Sequence, residues 1–66
     1  MTKTEEILNS LGLKCSLGSW ETADGYYAIC YNRKQGRTWV DILQRAGYKA
    51  KVVYDNYAYI VHFTGR

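Results

Sequence analysis

Six cationic side chains, Arg33, Lys34, Arg37, Arg45, Lys49 and Lys51, fall within nineteen positions that contain one acid, Asp41. Guanidinium and ammonium groups at this density are the residue types that hold phosphate by charge-assisted hydrogen bonds. Tyr27 and Tyr31 lie just before the cluster, and Tyr54, Tyr57 and Tyr59 just after it. A tyrosine ring beside a cation can stack on a nucleobase, worth roughly 1–3 kcal/mol per base. The same rings can anchor a protein partner, because they bring large contact area at low entropic cost. These eleven residues are the candidate binding set. The competing reading is a solvated basic surface that keeps a tyrosine-rich chain soluble. No helix-turn-helix, RNP-type strand or zinc-finger pattern accompanies the cluster.

Other chemistry has less to stand on. His62 is the lone histidine, and on a strand it is expected to pack or to sit at a rim. Cys30 lies inside an apolar run, where a thiol behaves as a small hydrophobe. Cys15 and Cys30 are the only cysteines and are expected as free thiols in a reducing compartment. Two cysteines and one histidine fall short of the four ligands of a structural zinc site, so neither metal nor cofactor is expected. Glu5-Glu6 has a sufficient structural cause at a helix start. No Ser–His–acid set, glycine-rich phosphate loop or paired carboxylates appear, and a non-enzymatic protein is expected.

Positioning falls to short elements. Thr2-x-x-Glu5 has capping-box spacing, and Ile7, Leu8 and Leu11 share one face, which predicts a helix over 3–11 stopped by Gly12. Leu13–Leu17 alternates and reads as a strand or an extended connector. Trp20–Thr22 is a candidate short strand, with Asp24-Gly25 as the turn into a strand at Tyr26–Asn32. That strand is apolar on both faces, which places it centrally in its sheet. Arg33–Arg37 reads as a basic loop. Thr38 is the expected N-cap of a second helix over 38–46, whose Trp39, Ile42, Leu43 and Ala46 form a stripe at helical spacing. Lys49–Phe63 reads as a hairpin turning at Asp55-Asn56. That turn puts Ala50, Val52, Tyr54, Tyr57, Tyr59, Val61 and Phe63 on one face and Lys51, Val53, Ala58, Ile60 and His62 on the other. The frayed tail is Thr64–Arg66.

The expected fold is α+β: one domain over 1–66, with a small antiparallel or mixed sheet of three to four strands. Two short helices pack on one face, in the order α-(ββ)-α-ββ. The strand-helix-strand phrase predicts that Tyr26–Asn32 and Ala50–Tyr54 run parallel, with Tyr57–Phe63 between or beside them. A 66-residue chain buries only about 60% of its unfolded surface. It answers with seven Tyr, two Trp and one Phe, and its net charge of +3 divides into −2 over residues 1–32 and +5 over 33–66.

The N-terminus is too polar for a signal peptide, and no run approaches the roughly 20 apolar residues of a membrane span. A cytoplasmic protein without a membrane partner is the expectation. Two helices roof one sheet face, hardly both, so apolar surface should remain for a partner. The alternative is that an N-terminal arm with Leu13, Leu17 and Trp20 folds over that surface. Size and character suit a small regulator or inhibitor of phage or mobile-element type acting on a protein partner, or a self-associating chain. A DNA- or RNA-binding module is the second reading.

Overall fold

In the computed structural model, which describes residues 2–65, α1 covers Lys3–Ser10. The Thr2 hydroxyl accepts from the Glu5 amide at 3.2 Å, satisfying one of the first-turn donors that a helix leaves open. Leu8 is fully buried, and Ile7 and Leu11 pack beside it. The Thr4 hydroxyl, also buried, donates to the carbonyl of Trp20 at 3.0 Å. That bond ties the start of α1 to the edge of the sheet.

The remaining elements are β1 (Ser19–Thr22), β2 (Gly25–Cys30), α2 (Arg33–Arg45), β3 (Lys49–Asp55) and β4 (Ala58–Thr64). The sheet order is β1-β2-β4-β3, with every neighbouring pair antiparallel. β2 and β3 are therefore parallel with β4 between them, and β2 is central, as its two apolar faces require. The core lies on one side of this sheet. Ala28 and Cys30 of β2 and Val61 and Phe63 of β4 meet Leu8, Leu13, Trp39 and Leu43. Both helices thus cover the same face. The structure is an α+β fold in the order α-β-β-α-β-β.

Several boundaries differ from the sequence expectation. Of the two readings of Leu13–Leu17 the connector holds and the strand does not, and its Leu13 enters the core. β2 stops at Cys30, so Tyr31 and Asn32 lie outside it. Arg33–Arg37 is not a loop but the opening of α2. Asn32 is the N-cap, its Oδ1 accepting from Gln35 N at 2.8 Å, and Gln35 Oε1 accepts from Tyr31 N at 2.7 Å. This Asn-x-x-Gln exchange is a near relative of the capping box and outcompetes Thr38. Thr38 instead donates back to the Lys34 carbonyl within the helix at 3.0 Å.

Both hairpin turns sit one residue away from their expected places. The first loop is Ala23-Asp24, with Thr22 opposite Gly25. Gly25 carries a φ of 137, and an added Cβ would lie 2.7 Å from the Phe63 carbonyl oxygen. The second loop is Asn56-Tyr57, with φ of 51 and 61, so both central residues are left-handed as a type I′ turn demands. Tyr54 therefore faces Tyr59 and Val52 faces Val61, replacing the expected Tyr54–Tyr57 and Val52–Tyr59 pairs. Moving a two-residue turn by one position shifts each pairing by two, and side chains alternate with period two. The faces expected for β3 and β4 consequently survive, except that Tyr57 leaves the sheet for the turn. Thr64 belongs to β4, and Arg66 of the expected frayed tail lies outside the described residues.

Candidate functional site

Seven of the eleven candidate residues fall on two surfaces, Lys49, Lys51 and Tyr27 on one and Arg33, Arg37, Tyr54 and Tyr59 on the other. On the sheet face away from the helices, register aligns Trp20 with Tyr27, Tyr27 with His62, and His62 with Lys51. These four form one row across all four strands. Trp20 and Tyr27 stack with centroids 5.2 Å apart and planes 2° from parallel. Tyr27 and His62 stack at 4.4 Å and 6°. Tyr27 therefore has an aromatic ring on each side. Beside this row runs an aliphatic one, Ile29–Ile60–Val53. Trp20 is 37% exposed, and no element of the described chain lies over either row.

The alternative, shielding by an N-terminal arm, does not occur. Leu13 is buried on the helix side, Leu17 is exposed, and Trp20 is a member of the open face. Lys49 and Lys51 border this face along β3 and, with His62 and Thr64, edge a shallow hollow of about 170 Å³. His62 Nε2 lies 3.2 Å from the Asp24 carbonyl, where an Nε2–H donates.

The second surface lies on the helix side. A cleft of about 690 Å³ runs between α2 and the β3 end of the sheet. Arg33, Arg37, Asp41 and Gln44 follow one another down one side of α2 at helical spacing. Val40 and Val52 give it apolar walls, and Tyr54 and Tyr59 complete the lining. The two ends are fixed by packing. Gln44 Nε2 donates to the Ala50 carbonyl at 3.2 Å, so the end of α2 meets the start of β3. A Cβ on Gly36 would lie 3.2 Å from Val52. Since β3 continues from Val52 to Tyr54, the tyrosine pair sits toward the Arg33–Arg37 end. The Tyr54 and Tyr59 rings are 4.9 Å apart and tilted by 55°.

The structure thus brings Arg33, Arg37, Tyr54 and Tyr59 together, and separates them from Lys49, Lys51 and Tyr27 on the opposite face. Arg45 is spent on Asp41, Nε to Oδ2 3.2 Å, in an exposed i,i+4 ion pair. Lys34 is exposed on α2 and lines neither surface. Tyr31, off the end of β2, shares a 2.9 Å hydrogen bond with the Ser16 hydroxyl. Tyr57 projects from the hairpin turn and is 93% exposed.

Trp20, Ile29, Val53, Ile60 and His62 were outside the candidate set, although alternation within the strands had already placed Val53, Ile60 and His62 on a common face. Val40 and Gln44 carried no signal in the sequence, because only the seating of α2 beside β3 gives them a role.

Both cysteines are free thiols. Burial, with Cys15 nearby adding to it, pushes the Cys30 thiol up from 9.0 to about 11, so it stays protonated and unreactive near neutrality. Cys15 Sγ donates to the Gly18 carbonyl at 2.9 Å. Among the described residues no three His, Cys, Asp or Glu side chains gather to hold a metal, and no helix is long and apolar enough to cross a membrane.

No family model, no curated protein and no solved structure matches this chain.

Proposed function

We propose that the chain is a non-enzymatic binding module that offers its open sheet face to a protein partner and acts as a small regulator or inhibitor of that partner. One observation carries this reading: both helices cover the same face, and the other holds Trp20, Tyr27, Ile29, Val53 and Ile60 with no covering element. Contiguous apolar surface of this kind marks interaction sites, and Trp and Tyr dominate interface energetics.

The partner's chemistry follows from the rim. Lys49 and Lys51 flank the apolar rows, and the one acid on this face, Asp55, stands at the far end of β3. A patch with an apolar centre and carboxylates set against β3 complements it. Tyr27 is enclosed between two rings, so its π-faces are closed to a base. That favours side-chain packing by a protein over base stacking on this face. Two copies of the chain would bring four lysines into the same interface, which argues for a foreign partner over a second copy.

Immobilised protein is used to capture its partner from host extract, and the purified partner is titrated by calorimetry. Ile60→Lys is expected to weaken binding at least tenfold while keeping the circular dichroism of the parent, and Lys3→Ala on α1 to leave it unchanged. Binding indifferent to Ile60→Lys would overturn the reading. Sedimentation showing dimers that Ile60→Lys dissolves would replace the foreign partner with a second copy.

A further inference from the structure

The cleft beside α2 uses none of the residues of the open face, and its composition points to a different ligand. Arg33 and Arg37 are one turn apart, about 6 Å along the helix axis. Neither has a carboxylate partner among the described residues. Arginine presents a planar fork that matches phosphate oxygens two at a time. Asp41, the acid of the cleft, lies one turn beyond Arg37, about 6 Å along the axis and about 12 Å beyond Arg33, and its carboxylate is paired with Arg45 instead. The anion-binding character is therefore concentrated at one end.

At that same end stand Tyr54 and Tyr59. Tyr54 is 59% exposed, and its ring is tilted against Tyr59 instead of stacked flat on it. Unlike Tyr27, it keeps a ring face for a planar group. Val40 and Val52 supply apolar contact beneath. A volume of about 690 Å³ falls within the range of small-molecule sites.

We infer that this cleft binds a nucleotide, with the phosphate on Arg33 and Arg37 and the base against Tyr54. The nucleotide is either a free mononucleotide or one unit of a single-stranded DNA or RNA, since both bring the same phosphate and ring. The site is separate from the protein-binding face, so either can fail without the other.

The test is fluorescence anisotropy of a labelled single-stranded oligonucleotide, with a labelled 5′-mononucleotide in parallel. One phosphate neutralised on a single strand predicts about a threefold loss of affinity between about 50 and about 200 mM salt. Arg33→Ala with Arg37→Ala should abolish that salt response, and Tyr54→Ala should weaken binding at least about fivefold. All three positions are exposed, so the variants are expected to fold, which their circular dichroism checks. Lys3→Ala, on α1 and outside the cleft lining, should leave nucleotide affinity unchanged. Binding of the mononucleotide assigns the free ligand; binding of the oligonucleotide alone assigns the strand. Binding of neither at low salt would overturn the inference. So would affinity that survives loss of both arginines, or that falls with Lys3→Ala instead.

Discussion

Gly25→Ala is the substitution whose consequence is best defined by the structure. Gly25 opens β2 with a φ of 137, and a Cβ there would lie 2.7 Å from the Phe63 carbonyl oxygen, 2.9 Å from Thr64 Cγ2 and 3.1 Å from His62 Nε2. The first of these is backbone, and it cannot retreat easily. Phe63 is fully buried, held between the Tyr26 ring at 5.2 Å and the Tyr48 ring at 5.7 Å. Left-handed backbone costs a residue with a Cβ about 1–2 kcal/mol. Forcing extra volume into a packed site costs about 1–3 kcal/mol more. The sum, roughly 2–5 kcal/mol, is a large share of the roughly 3–10 kcal/mol that a domain of this length has in total.

Gly12→Ala separates the two contributions. Gly12 also has a positive φ, 78, but an added Cβ meets nothing within 4 Å. It should lose only the backbone contribution, about 1–2 kcal/mol. Urea unfolding followed by tryptophan fluorescence, with m-values compared to confirm one transition, gives both numbers. Gly25→Ala is expected to be the worse variant by about 1–3 kcal/mol. Equal losses within about half a kcal/mol would mean that β2 and β4 do not approach as described, and the register that aligns Tyr27 with His62 would fall with it.

Three further outcomes are expected. Asn32→Ala should cost about 1 kcal/mol in urea unfolding, and Thr38→Ala less than about half of that, because Asn32 caps α2 and Thr38 does not. Tyr57→Gly should raise stability by about 1 kcal/mol, since Tyr57 holds a φ of 61 while 93% exposed and glycine relieves that strain; a loss on the same assay would show that the tyrosine packs on something. Cys30 adds a pH dependence. Its folded pKa is raised to about 11 from 9.0. Above pH 9 the unfolded thiol ionises while the folded one stays neutral, so stability is intact below about pH 9 and falls up to about pH 11. The contribution is at most about 3 kcal/mol, measured as the difference between parent and Cys30→Ala unfolding at each pH; identical pH profiles would refute it.

What the sequence by itself determined is whatever depends on local spacing. The stripe of Trp39 and Leu43, the Thr2-x-x-Glu5 cap and the alternation through Lys49–Phe63 each specify an element and its inward face within a few residues. Even a turn misplaced by one residue left the faces of β3 and β4 intact, because the pairing shift of two matches the side-chain period. The start of α2 was also local, but two adjacent signals competed, and the Asn32–Gln35 exchange satisfies more backbone groups than Thr38 does. Tertiary structure alone decided which cations share a surface. Lys49 and Lys51 lie within eighteen residues of Arg33 in the chain, yet β3 turns them to the open face. α2 seats Arg33 and Arg37 against Tyr54 and Tyr59, some twenty residues away. That division rests on helix-to-sheet packing between distant segments, which no spacing along the chain encodes.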